Sequence, residues 1–109
     1  MDQLDFLAKL EAVIQDRLSN PTAGSYTAEL AAGGVLNVAQ KLGEEAVEVV
    51  VAAVAEDDSR LTAEAADLLY HLLVLWAARG LAPEAVWAAL AARQGTSGLA
   101  EKAARGEKE

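Results

Sequence analysis

The sequence predicts an all-α fold, a helical bundle of four to five helices, and three observations predict it. Alanine and leucine are abundant in a composition that is 53% hydrophobic with few aromatic side chains, which favours helix and an aliphatic core. Leu4, Leu7, Leu10, Ile14 and Leu18 recur at helical spacing near the start of the chain. Two longer stretches, Val35 to Ala55 and Leu61 to Ala78, are aliphatic over most of a helical circumference and each carries one narrow polar stripe.

The elements follow in order. Residues 4–18 form an amphipathic first helix with Arg17 near its C-terminal end, placed to complement the helix dipole or to reach a phosphate. The loop SNPTAG leads to Ser25-Tyr26-Thr27, where Ser25 or Thr27 can cap a short helical turn that Gly33-Gly34 interrupts. The second major helix runs from about Val35 to Ala55. Gly43 in its middle costs about 1 kcal/mol relative to alanine, which points to a close neighbour beside Glu44. The turn EDDSR precedes a third major helix that is expected to start near Ser59, with Ser59 as cap, and to stop at Gly80. Pro83 opens a last helix at the favoured first-turn position. Trp76 and Trp87 are read as core or interface anchors. One domain over residues 1–93 and a polar, glycine-rich tail over 94–109 account for the chain.

Charge and residue usage exclude several function classes. A net charge of -8 repels phosphate backbones, so a nucleic-acid polymer is not expected as partner. No cysteine is present, which removes disulfides, thiolate metal sites and cysteine nucleophiles and suits a cytoplasmic setting. The start MDQLDFLAKL has acidic residues where a signal peptide needs basic ones, and the apolar run after Leu68 ends at Arg79, so no membrane partner is expected.

The polar stripes carry the chemistry. At about 100° per residue, Asn37, Lys41, Glu44, Glu45 and Glu48 share an arc of about 100°, and Glu64, Asp67 and His71 an arc of about 60°. A short turn joins the two helices, so they should pack antiparallel and Glu45 and Glu48 could face Glu64 and Asp67. Stripes of this kind are often only the wet side of a helix, and a lone histidine such as His71 is more often structural than functional. Four carboxylates in one cleft, however, repel one another unless a cation neutralises them. Oxygen donors alone, without the Glu-x-x-His of di-iron bundles, favour Mg²⁺ or Mn²⁺ over iron or zinc. Such a site can polarise a phosphoryl oxygen, activate water and neutralise a leaving group, the services that cleavage of a nucleotide phosphoric anhydride needs. The opposing reading is a non-catalytic interaction module with an acidic face.

SYTAEL (25–30), Gly34, AQKLGEEAVEVVVAAVAEDD (39–58) and EAADLLYHLLVLWAARGL (64–81) together resemble the phosphoribosyl-ATP pyrophosphatases of histidine biosynthesis, all-α nucleotide pyrophosphohydrolases of MazG type. The resemblance covers roughly residues 4 to 93. The loose superfamily pattern EExxE…ExxD is met by Glu44, Glu45, Glu48, Glu64 and Asp67; the SYT and DLLYHLLVL segments separate this family from general nucleoside triphosphate pyrophosphatases. The resemblance implies Mg²⁺-dependent hydrolysis of phosphoribosyl-ATP to phosphoribosyl-AMP and pyrophosphate, the second step of histidine biosynthesis, by a bundle completed as a homodimer. It implies metal binding by Glu45, Glu48, Glu64 and Asp67, with Glu44 joining them or positioning water, and leaves the base open among Glu44, Glu45 and Glu48. It puts Lys41 at the substrate phosphates and Ser25, Tyr26 and Thr27 at the substrate. The segment GGVLNVAQ has fewer lysines than the family pattern, so the source of positive charge for the distal phosphates stays open. Without the cysteine and histidine content of the cyclohydrolase that follows in the pathway, the chain looks like the stand-alone form.

Overall fold

The computed structural model of the protein describes residues 3–94 and 105–106; the expected tail from 94 onward otherwise lies outside the described residues. Within them the chain forms five helices and no strand: α1 (Gln3–Ser19), α2 (Tyr26–Ala32), α3 (Gly34–Ala55), α4 (Asp58–Arg79) and α5 (Pro83–Ala92). The all-α expectation holds. The dominant packing is α3 against α4; α1 crosses α4 and α2, and α5 leans on the end of α4. Val38 shares the core with Leu73 and Val74, while Glu45 meets Glu64 and Asp67. Residues later in α3 therefore pair with residues earlier in α4, which makes the hairpin antiparallel.

Local chemistry sets the boundaries. Ser25 caps α2 by accepting a hydrogen bond from the Ala28 amide at 3.2 Å. Between α2 and α3, Gly34 adopts φ +82°, a conformation that favours glycine. A Cβ on Gly33 would come within 2.7 Å of the Asn37 side chain. Asn37 in turn donates to the Leu30 carbonyl at 2.8 Å, so this member of the polar stripe ties α2 to α3.

The start of α4 differs from expectation. Asp57, not Ser59, is the cap: its carboxylate accepts from the Arg60 amide at 2.9 Å, and the helix begins at Asp58. Asp and Ser cap about equally well. The earlier residue prevails because Glu56 and Asp57 are both extended, which turns the chain within two residues. The stop at Gly80 is as expected. Its φ of +74°, with Gly80 N–H to the Ala77 carbonyl and Leu81 N–H to the Trp76 carbonyl, is a Schellman motif. Trp76 and Trp87 meet edge to face at 5.7 Å and fasten α5 to α4.

The core is small and aliphatic, centred on Ile14, Leu30, Val38, Leu73 and Val74. Although α3 is aliphatic over most of its circumference, much of that surface is not covered within one chain. Val47, Val50, Val51 and Val54 are exposed along its C-terminal half. Among the described residues, nothing beyond Gly43's chain neighbours and its own helix backbone comes within 4 Å of where a Cβ on Gly43 would stand, so the close neighbour expected there is not found. By length and hydropathy α4 could cross a membrane, but it carries Glu64, Asp67 and His71 mid-helix and is the central helix of the bundle.

Candidate active site

The antiparallel hairpin brings three carboxylates together. One oxygen from each of Glu45, Glu64 and Asp67 lies within 4.8 Å of the others. Glu64 is buried, Glu45 half-buried and Asp67 exposed, so the cluster is anchored in the bundle and open to solvent on one side. Helical periodicity explains the set: Glu64 and Asp67 are one turn apart on α4, and Glu45 reaches them from α3. Glu48 lies a further turn along α3, is exposed, and stands outside this group of three. Glu44 is also exposed and forms an ion pair with Lys41 at 3.6 Å.

Arg60 is a basic neighbour that the stripe pattern did not single out. It donates from Nη2 to Glu64 at 2.9 Å and from Nε to Glu56 at 3.3 Å. Its position one turn before Glu64 was the available signal, since residues four apart on a helix face each other. Arg60 offsets one of three mutually repelling charges, and the other two have no such partner in the described ion pairs.

The Ser25-Tyr26-Thr27 segment locks α2 onto α4. Ser25 is the cap already described. Thr27 is buried, and its hydroxyl is hydrogen-bonded to the Tyr70 phenol. Tyr26 is half-exposed, with its hydroxyl 2.7 Å from His71 Nε2. The phenol pKa is raised above its ordinary value, chiefly by desolvation; nearby Lys41 works against the shift, while Glu45, Asp67 and Tyr70 add to it. Tyr26 is thus the member of the segment that stands in the field of the carboxylates and still meets solvent. Arg17, in contrast, lines a groove between α1 and α2 with Leu18, Pro21 and Ala28.

A sequence model of phosphoribosyl-ATP pyrophosphohydrolases matches residues 7–94, which includes all five helices except the first turn of α1. The chain belongs to that family. Among its relatives, the phosphoribosyl-ATP pyrophosphatase of Azospirillum brasilense is 54% identical over 91% of this chain and 89% of its own length. That of Sphingopyxis alaskensis is 59% identical over 91% and 92%, and that of Paramagnetospirillum magneticum 54% identical over 94% of each.

For a phosphoribosyl-ATP pyrophosphohydrolase the donor set is chemically apt. Three oxygen ligands and no nitrogen or sulfur suit a hard divalent cation, and Mg²⁺ typically takes one or two carboxylates, keeping its remaining positions for water and phosphate. Glu45, Glu64 and Asp67 would hold it, on the open side where Asp67 meets solvent.

Proposed function

We propose that this chain hydrolyses phosphoribosyl-ATP to phosphoribosyl-AMP and pyrophosphate with Mg²⁺ as cofactor, Mn²⁺ serving in its place, as the second step of histidine biosynthesis. The observation that carries the reading is the convergence of Glu45, Glu64 and Asp67 from two helices, inside the region that matches the family. In this reaction water attacks phosphorus, the anhydride linkage between the α- and β-phosphates breaks, and pyrophosphate departs. When bound, Mg²⁺ supplies Lewis acidity toward the phosphoryl oxygens, an acidified water and charge neutralisation for the leaving group.

The residues divide the remaining work. Glu45, Glu64 and Asp67 form the cation site, and Glu48, one turn on, completes it or accepts the proton of the attacking water, with Glu44 the other carboxylate in reach of that role. Lys41 and Arg60 bring positive charge to the rim, where the triphosphate must lie; Arg17 is the more remote candidate for a phosphate. Tyr26 meets the substrate side of the cluster, and Ser25 and Thr27 act by holding it there. Residues 1–93 are the catalytic domain. The exposed valines of α3 support a homodimer, and the acidic, cysteine-free chain suits the cytoplasm.

The assay is hydrolysis of phosphoribosyl-ATP with and without Mg²⁺ beside a panel of nucleoside triphosphates, with products separated by anion exchange. Phosphoribosyl-AMP and pyrophosphate should form only with metal and much faster than any triphosphate is cut. Preferential triphosphate cleavage would move the chain to the general pyrophosphatases, and no turnover would leave an acidic interaction module. Glu48→Gln should abolish the metal-dependent activity while changing metal-free stability by less than about 0.5 kcal/mol or raising it, as expected for an exposed carboxylate among like charges. Marked destabilisation would make Glu48 a structural residue instead.

A further inference from the structure

We infer that His71 is a positioning residue that fixes Tyr26 as a hydrogen-bond acceptor for the reaction's water. The inference rests on the hydrolase reading above and adds a residue and a bond direction to it. His71 is buried. Its Nδ1 lies 2.7 Å from the backbone carbonyl of Asp67, one helical turn earlier. A carbonyl can only accept, so Nδ1 must carry the proton. In a neutral imidazole that leaves Nε2 as a lone-pair acceptor. Nε2 lies 2.7 Å from the Tyr26 oxygen, so the phenol donates to it.

The Tyr26 proton is thereby committed, and its oxygen can offer only lone pairs to anything arriving from solvent. It cannot donate to a phosphate oxygen. Edge-to-face contacts of the imidazole with Tyr26 at 5.7 Å and Tyr70 at 6.2 Å hold the ring in this orientation. Through His71 the phenol is tied to the backbone of Asp67, whose carboxylate belongs to the cluster. Asp67 therefore serves twice: its carboxylate belongs to the cluster, and its carbonyl sets the direction of the bonds that end at Tyr26. Water about to attack phosphorus and the ribose hydroxyls of the substrate both bring a hydrogen; the acceptor serves the water, and a loss in kcat rather than in KM separates the two.

His71 is the single histidine in the chain, which makes the test direct. Nitrogen-15 NMR of the metal-free, histidine-labelled protein at about pH 8.5, where imidazoles are ordinarily neutral, should show a protonated Nδ1 and an unprotonated Nε2. Free imidazole side chains favour the opposite tautomer, and finding it here would overturn the inference. Tyr26→Phe should shift the Nε2 resonance, and an unmoved resonance would also overturn it.

Kinetics supply the second arm. Tyr26→Phe and His71→Asn, whose shorter amide keeps a donor for the Asp67 carbonyl but places no acceptor where Nε2 stood, should each lower kcat about three- to tenfold, the scale of one hydrogen bond. KM should stay within about twofold. The double variant should be no worse than the poorer single one. His71→Gln, whose carbonyl oxygen can reach the phenol, should recover part of the loss. A raised KM with unchanged kcat would mean that Tyr26 only binds substrate, and additive losses would mean that His71 does not act through it. A wild type inactive on phosphoribosyl-ATP would overturn the hydrolase reading, whereas the wrong tautomer in an active enzyme would overturn this inference alone.

Discussion

Tyr26 is where the electrostatics of the carboxylate cluster meet the packing of α2 on α4. Its raised pKa means that the folded protein holds the phenolic proton at a pH where the unfolded chain has released it. The stabilisation is complete below the ordinary tyrosine value of 10.0 and is lost as pH rises through the higher folded value. Urea unfolding of wild type and Tyr26→Phe from about pH 9 to 11 should therefore give stabilities that diverge, with wild type falling more steeply; parallel curves would mean that the phenol is solvated like a free one. Lysines titrate in the same range, but they are common to both proteins and cancel in the difference. The carboxylates of this site were legible in the sequence because their spacing is a property of single helices: Glu64 and Asp67 are one turn apart whatever surrounds them. The direction of the Tyr26–His71 bond was not legible. It depends on a backbone carbonyl one turn away and on a phenol 45 positions distant in sequence, and neither leaves a periodic trace. The separation of Glu48 from the other three was hidden for a similar reason, since an arc of polar residues does not say how far along the facing helix each one sits.

At the scale of elements, the helix count and the turns at Gly33-Gly34 and Gly80 were readable because glycine with positive φ has few substitutes. The α3–α4 connection was harder, because three polar residues in succession, Asp57, Asp58 and Ser59, can all cap a helix. The choice among them sets where α4 begins and how short the turn from α3 is. The hydrogen bond from the Arg60 amide to Asp57 also holds the backbone at Arg60, whose side chain pairs with Glu64. Asp57→Ala should cost about 1 kcal/mol in equilibrium urea unfolding, the usual value of an N-cap. Ser59→Ala, which removes no cap, should cost less than about 0.5 kcal/mol. The reverse ranking would place the start of α4 at Ser59 after all. Because the cap holds the backbone of Arg60, the partner of Glu64, Asp57→Ala should also weaken Mn²⁺ binding, whereas Ser59→Ala should leave it unchanged.

At the scale of the molecule, the apolar circumference of α3 was visible in the sequence, but its exposure was not, because periodicity does not say which parts of an apolar face the rest of the chain covers. Val47, Val50, Val51 and Val54 occupy the C-terminal half of α3, and Val54 is 83% exposed. An isolated exposed aliphatic residue is ordinary; four on one half-helix beside a small core form a patch that water does not favour. A second copy of the chain is the economical cover, since each monomer leaves the same face bare and a two-fold contact is self-complementary. Sedimentation equilibrium should show a dimer, with a Tm that rises with protein concentration. Val50→Glu should give a monomer, whereas on a merely solvated surface it would change neither sedimentation nor concentration dependence. The charge of the chain sharpens the expectation. Each copy carries -8, so the two repel, and an interface of valines offers no ion pair to offset that repulsion. Added salt screens repulsion between surface charges and leaves apolar burial intact. Association should therefore tighten as salt is raised from about 10 mM to 150 mM, a range over which the screening length falls from about 30 Å to 8 Å. Weakening over the same range would mean that charge pairs hold the copies together, and the valine face would then have to be assigned to some other contact.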